Sequence, residues 1–252
     1  MESSLNSTVT TGYARVFGSP GARVRIAGLF RTLWPLLIVV ALAGYLLRAA
    51  LPVPAIGSTL AGALFLVLAA AVAAAANYSR DRLQAFLKGA RGEELVARAL
   101  ALLPESFSVF HGLSAHARGI LTQGGGDLDH VVVGATGVFV VETKNWNGEV
   151  TIESGELLCD GDVPSRPPLD QVKCAANALR SRLQAVADED LKVSPILCFA
   201  SNCLPAGQQG AAGVIVCNAD QLTTVILAEG PALLSDITQQ AVIQQLQKDC
   251  EL

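Results

Sequence analysis

The chain lacks the patterns that would assign it quickly. Its six cysteines, at 159, 174, 198, 203, 217 and 250, form no Cys-x-x-Cys pair, and no histidine stands at zinc-finger spacing from them. That argues against a disulfide or zinc framework and predicts reduced, mostly buried thiols. Charge is scarce, at 16% of residues, and the formal net charge is −4. From residue 79 onward 13 Lys and Arg face 21 Asp and Glu, a formal charge of −8. Such a balance argues against a protein that holds nucleic acid by a global positive field. No basic patch interleaved with aromatics is present. The glycines Gly124-Gly125-Gly126 are followed by no Lys-Ser/Thr and open no helix, so they do not make a phosphate-cradling loop. A tidy signal peptide is also missing, because the apolar stretch comes late and two runs follow in tandem.

What is present divides at about residue 79. A mean hydropathy of +0.44 is high, and the excess lies before that point. Residues 33–51 and 55–78 are apolar runs separated by Pro52-Val53-Pro54. A bilayer core takes about 20 apolar residues as helix, so residues 33–78 read as a transmembrane helical hairpin in contact with the lipid bilayer. Arg15, Arg23, Arg25 and Arg31 precede it, against the lone acid Glu2, and Arg80, Arg82, Lys88 and Arg91 follow it. The positive-inside rule then predicts a multi-pass membrane protein with both termini cytoplasmic. Residues 1–32, polar and then basic, read as a tail without order. Residues 79–252 read as the globular domain.

Within that domain, apolar residues at helical spacing predict a helix over 79–103, with a break near Gly89 and Gly92. Glu93 and Glu94 would open its second half, where acids complement the helix dipole. Residues 149–153 and 156–159 read as further strands of a meander, and 169–187 as an amphipathic helix. Residues 193–200 and 213–217 are short apolar runs of the buried-strand kind. Two helices, 219–229 and 235–250, close the chain. His111 and His116 read as surface residues in loops.

The most informative stretch is 127–147. Two β-branched runs flank Gly134-Ala135-Thr136-Gly137, a hairpin signal. Val133 then faces Val138, Asp129 faces Glu142 and Asp127 faces Lys144, with all four charged groups on one side. His130 points to the other side and reads as structural. Facing Cβ atoms are about 4.5–5.5 Å apart, so Asp129 and Glu142 repel. A divalent cation with hard oxygen ligands would relieve that repulsion. A plain Asp127–Lys144 salt bridge across a half-exposed strand pair remains the alternative.

These residues carry a resemblance. Asp129-His130-Val131-Val132-Val133-Gly134 and Gly137-Val138-Phe139-Val140-Val141-Glu142-Thr143-Lys144-Asn145-Trp146 resemble the core of the NERD (nuclease-related) domain, within the PD-(D/E)xK nuclease-like superfamily. Lys88-Gly89-Ala90-Arg91-Gly92-Glu93 is similar to its opening motif, and Pro168-Leu169-Asp170-Gln171 to its Pro-Leu-x-Gln motif. The turn residues Ala135-Thr136 depart from the Pro and Asn more common there. The resemblance implies an α/β fold with a restriction-endonuclease-like mixed central sheet flanked by helices, here preceded by two transmembrane helices. It implies hydrolysis of DNA or RNA phosphodiesters dependent on Mg²⁺ or Mn²⁺. Asp129 and Glu142, with the Thr143 carbonyl, would hold the metal, Lys144 would position water, and Glu93 would complete the acidic site. Gln171 either faces that site or is a solvated helix residue. Arg118, Lys144, Lys173 and Arg180 would supply a local basic cluster. The alternative is a membrane-tethered binding or sensor module of the same fold with little or no catalysis.

Overall fold

The structure, a computed structural model, describes residues 12–21, 34, 37–45, 58–113, 127–187, 191–205, 210–228 and 234–250. The described chain divides into two units, one formed by residues up to Gly21 together with Arg91–Leu252, the other by Ala22–Ala90. The candidate site lies in the first.

Continuous Val, Ile and Phe runs build a seven-stranded sheet, because strands buried on both faces need no polar alternation. Its strands are β1 (Arg15–Phe17), β2 (Ser108–Leu113), β3 (Leu128–Gly134), β4 (Gly137–Lys144), β7 (Val193–Phe199), β8 (Gly210–Ala211) and β9 (Val214–Asn218). The order is β1-β2-β3-β4-β7-β9-β8. Pairing is antiparallel from β2 through β4, parallel from β4 to β7 to β9, and antiparallel again at β8. A separate hairpin holds β5 (Val150–Glu153) and β6 (Glu156–Cys159). These strands do not continue β4 as a meander. The sheet position beside β4 is taken by β7, whose apolar residues cover it better than the half-exposed β5.

Alternation along β3 and β4 sends neighbouring residues to different cores. Val131, Val133, Val138 and Val140 join one cluster with α2 (Pro168–Leu183) and α4 (Asp236–Cys250). Val132, Phe139 and Val141 join the other, with Val96 and Leu100 of α1 (Ser58–Ala101) and Leu222 and Ile226 of α3 (Leu222–Ala228). Each such side chain contributes about 1.5–3 kcal/mol by leaving water. The result is an α/β/α sandwich with a mixed sheet, as the resemblance implied.

Helix α2 starts at Pro168, a residue suited to a helix's first turn because its missing N–H is not needed there. Asp170 stands in its first turn and Arg180 and Arg182 in its last, complementing the dipole. Leu169, Val172, Ala175, Ala176, Leu179 and Leu183 are its buried stripe. Gln171, beside that stripe, meets Glu142 and Lys144 at the carboxyl end of the central strand β4.

Three expectations are corrected. Among the described residues no helix is long and apolar enough to cross a membrane, which overturns the expected multi-pass membrane localisation. The expectation rested on apolar runs in the sequence, whereas a span needs one helix that is both long and apolar enough, about 20 residues. The two transmembrane helices and the bilayer contact thus have no support, and Pro52-Val53-Pro54, Arg23, Arg25, Arg31 and Arg48 lie outside the described residues. Second, α1 runs unbroken from Ser58 to Ala101, so Gly89 and Gly92 do not interrupt it. A helical glycine costs only about 1 kcal/mol relative to alanine, which tertiary packing overrides. Third, residues 15–17 of the stretch expected to lack order form β1, parallel to β2, with Val16 beside Val109.

Candidate active site

The β3–β4 hairpin has the register its sequence predicts. Val133 pairs with Val138, and the ladder runs to His130 and Val141. Gly134 pairs with Gly137, so the loop proper is only Ala135-Thr136. Beyond Val141, the next backbone N–H on the β3 edge is that of Thr143, since alternate residues point to the same edge. It donates to Asp129 Oδ2 at 2.8 Å. A side-chain carboxylate takes over where the backbone ladder ends, and this fixes Asp129 against the strand that carries Glu142.

Glu142 is buried near the end of β4, and Lys144, half-buried, is its last residue. Lys144 Nζ donates to Glu142 Oε1 at 2.8 Å and to Gln171 Oε1 at 3.1 Å, while Gln171 Nε2 donates to Glu142 Oε1 at 2.7 Å. The three side chains close a triangle between β4 and α2. Gln171 thus lies against Glu142 and Lys144. The Asp129 carboxyl is pushed well above the ordinary carboxylate range by burial, then by the charges of Glu142 and Glu93. The Thr143 N–H and Lys144 pull the other way.

Glu93 comes from α1, is buried, and accepts a hydrogen bond at Oε2 from the Gly21 backbone N–H at 2.9 Å. Its approach depends on Gly92. A Cβ at that position would stand 2.8 Å from Asn145 Cβ and 3.4 Å from Ala200 Cβ, so only glycine lets the helix lie this close to the ends of β4 and β7. The Lys-Gly-x-x-Gly-Glu motif thus has a packing reason at its second glycine. Gly18, with φ +80°, makes the turn that carries the chain from β1 to Gly21.

Among the described residues no three His, Cys, Asp or Glu side chains cluster as a ready metal cage. Asp129 and Glu142 instead offer two carboxylates, the number Mg²⁺ uses when waters and phosphate oxygens fill its other positions. The like charges that raise the Asp129 pKa are the condition a divalent cation relieves. The donor set therefore fits Mg²⁺ or Mn²⁺. Residues of a strand point N–H and C=O to the same edge, so the Thr143 carbonyl lies on the Asp129 side.

Other candidates fall elsewhere. Lys173 lines a separate cleft of about 230 Å³ with Glu156 and Asp170, and Arg180 is exposed farther along α2. Arg118, His116 and Gly124-Gly125-Gly126 lie outside the described residues. Asp127 is half-buried just before β3. His111 is not a surface loop residue: it belongs to β2, is 3% exposed, and pairs with His130 in register. The two rings meet edge to face with Nδ1 atoms 2.7 Å apart. A polar residue in a short apolar run gave no hint of a second histidine across the ladder. Nor did any signal mark the Gly21 N–H or the contact of Gly92 with Asn145.

The family model for the nuclease-related domain matches residues 88–200, a segment holding Glu93, Asp129, Glu142, Lys144 and Gln171. An uncharacterized protein of Bacillus anthracis is 48% identical over 63 residues, covering 24% of this chain and 28% of that relative. The chain thus matches well under two thirds of that relative's length. No solved structure matches the chain. Residues 88–200 are accordingly similar to a nuclease-related domain, and the acidic cluster at the open end of the β3–β4 hairpin falls inside the matched segment.

Proposed function

We propose that this chain hydrolyses nucleic-acid phosphodiester bonds with a divalent metal ion, at the cluster of Asp129, Glu142, Lys144, Gln171 and Glu93. The observation that carries the reading is the Glu142–Lys144–Gln171 triangle set beside a carboxylate held by a backbone N–H. A salt bridge alone would not need a glutamine bound to both partners.

Mg²⁺ or Mn²⁺, held by Asp129, Glu142 and the Thr143 carbonyl, would polarise the scissile phosphate and make bound water more acidic. The protein's own groups supply the rest. An ammonium has three N–H donors, and Lys144 spends two on Glu142 and Gln171. The third is free to hold the attacking water or to neutralise charge growing on a phosphate oxygen. Gln171 fixes Lys144 and Glu142 relative to each other, so their positions do not depend on substrate. The Thr143 N–H holds one oxygen of Asp129 and leaves the other to face the reacting group. Glu93, braced by Gly21, adds negative potential that favours a cation over a second lysine.

A binding module with little catalysis is the second reading. The formal charge of −8 beyond residue 79 favours it, because steering of an anionic polymer fails in a negative field. Cleavage of labelled DNA and RNA, single- and double-stranded, by the full chain with Mg²⁺, Mn²⁺ or EDTA separates the two. Metal-dependent cleavage lost in both Asp129→Ala and Glu142→Ala supports the nuclease. No cleavage by the wild-type chain on any of these substrates leaves the binding module.

A further inference from the structure

Past the end of β4 the chain opens into a cleft of about 590 Å³, between residues 146–149 and 201–205. It lies outside the carboxyl ends of the parallel strands β4 and β7, where ligands of open α/β sheets sit. Its volume is that of a small-molecule site. The cleft begins two residues beyond Lys144, at Trp146, which packs on the core of the α2 face, tilted against Phe199 at 5.5 Å. On the other wall Ala200 N donates to Lys144 O at 2.9 Å.

The lining is chemically selective. Trp146, Asn147, Glu149, Ser201 and Asn202 contribute an aromatic face, two amides, one carboxylate and one hydroxyl, and no Lys or Arg is among the described lining residues. Such a surface offers a phosphate no cationic side chain among the described residues. It suits a flat, neutral, hydrogen-bonding ring. The walls are also fixed beforehand. Ser201 Oγ donates to Trp146 O at 2.6 Å, Val150 N to Cys203 O at 2.9 Å, and Asn218 brackets Leu204 through both its N–H and its C=O.

We propose that this cleft seats an unpaired nucleobase of the strand whose phosphate lies at Lys144, so that the substrate is single-stranded or frayed. The proposal rests on the nuclease reading of the neighbouring cluster and deepens it. It also accounts for recognition of nucleic acid by an acidic domain. Base stacking on an aromatic ring does not require a positive field, and it contributes about 1–3 kcal/mol per base. The carboxylate of Glu149 accepts but does not donate. Cytosine, adenine and guanine offer it the two N–H hydrogens of an exocyclic amino group, against the single ring N3–H of uracil and thymine, and are therefore favoured.

The test uses the full chain carrying Trp34→Phe, which leaves Trp146 as its only tryptophan. Trp146 fluorescence is titrated with CMP, AMP, GMP and UMP, with inorganic phosphate, and with single-stranded and blunt duplex oligonucleotides. Expected is quenching by the amino-bearing nucleotides and by single strands, unaffected by inorganic phosphate. Binding should weaken roughly tenfold in Asn147→Leu and Asn202→Leu, a loss of one or two hydrogen bonds. Both residues are exposed, so neither change threatens the fold. Quenching that inorganic phosphate abolishes, or that both leucine variants leave intact, overturns the proposal. Cleavage of blunt duplex as fast as single strand, without base quenching, overturns it while the nuclease reading stands. Base binding without any cleavage sustains the cleft and removes the nuclease.

Discussion

Asp129 and His130 are consecutive residues, and the sheet sends them to opposite faces with opposite outcomes. On the α2 face an ionisable group is packed near Glu142 and Glu93, and its carboxyl rises well above the ordinary range. On the α1 face two imidazoles pack edge to face. Burial lowers the His111 pKa from 6.5 to about 4. It pushes His130 well below 6.5, with the charge of His111 as a second cause. Desolvation disfavours the charged form in both places. The difference lies in what surrounds the group. The His pair shares one hydrogen bond between its Nδ1 atoms, one donating and the other accepting, and burial holds both rings toward the neutral form. The carboxylates remain in mutual repulsion with one lysine between two of them. A face whose groups are held neutral carries no like-charge conflict, whereas the carboxylates of the other face keep one.

The largest effect should come from the unrelieved face. Glu142→Ala or Asp129→Ala lowers metal-dependent cleavage by about a hundred- to a thousandfold, measured as initial rate on a labelled oligonucleotide. Next is the pH dependence of stability, measured by denaturant unfolding in EDTA, where the two faces should differ in sign. His111 has a lowered folded pKa, so its contribution is present above pH 6.5 and is lost as pH falls through about 4. The shift corresponds to on the order of 3 kcal/mol. Asp129 has a raised folded pKa, so its contribution is present below 3.8 and is lost as pH rises through the folded value. Replacing both histidines by Phe should flatten the acid limb, and Asp129→Asn should flatten the opposite slope. Equal slopes in wild type and variants would erase the contrast between the faces.

A smaller loss is expected from Gly92→Ala. The added Cβ meets Asn145 Cβ at 2.8 Å, and such overpacking costs about 1–3 kcal/mol. Because Glu93 is the next residue, cleavage should fall further than stability explains, which a rate measured well below the midpoint temperature will reveal. The smallest is Gln171→Ala. It removes a brace and leaves the Lys144–Glu142 pair at 2.8 Å, so kcat should drop roughly tenfold with KM little changed. An unchanged kcat would make Gln171 a bystander.

Much of this face was legible. Alternation with period two and a short Gly-bounded turn suffice to set the register of one hairpin, and they brought Asp129 toward Glu142. The His pair was not, because His111 and His130 meet only through β2–β3 pairing, a contact no local pattern encodes. The same applies to β1, whose three residues Arg15–Phe17 are too few to show periodicity. Residues 58–78 show the converse failure: composition alone predicted a membrane span that no described helix supports.

By itself the sequence determined the β3–β4 register, which follows from alternation along two neighbouring strands, while the α/β class and the choice of Asp129, Glu142 and Lys144 came from the resemblance to the nuclease-related domain. Only the tertiary structure decided that Gln171 joins Glu142 and Lys144, that Gly21 braces Glu93, that β7 rather than β5 lies beside β4, and that a cleft opens beyond Trp146. Each depends on packing between segments far apart in the chain, where burial of apolar faces outweighs local preference.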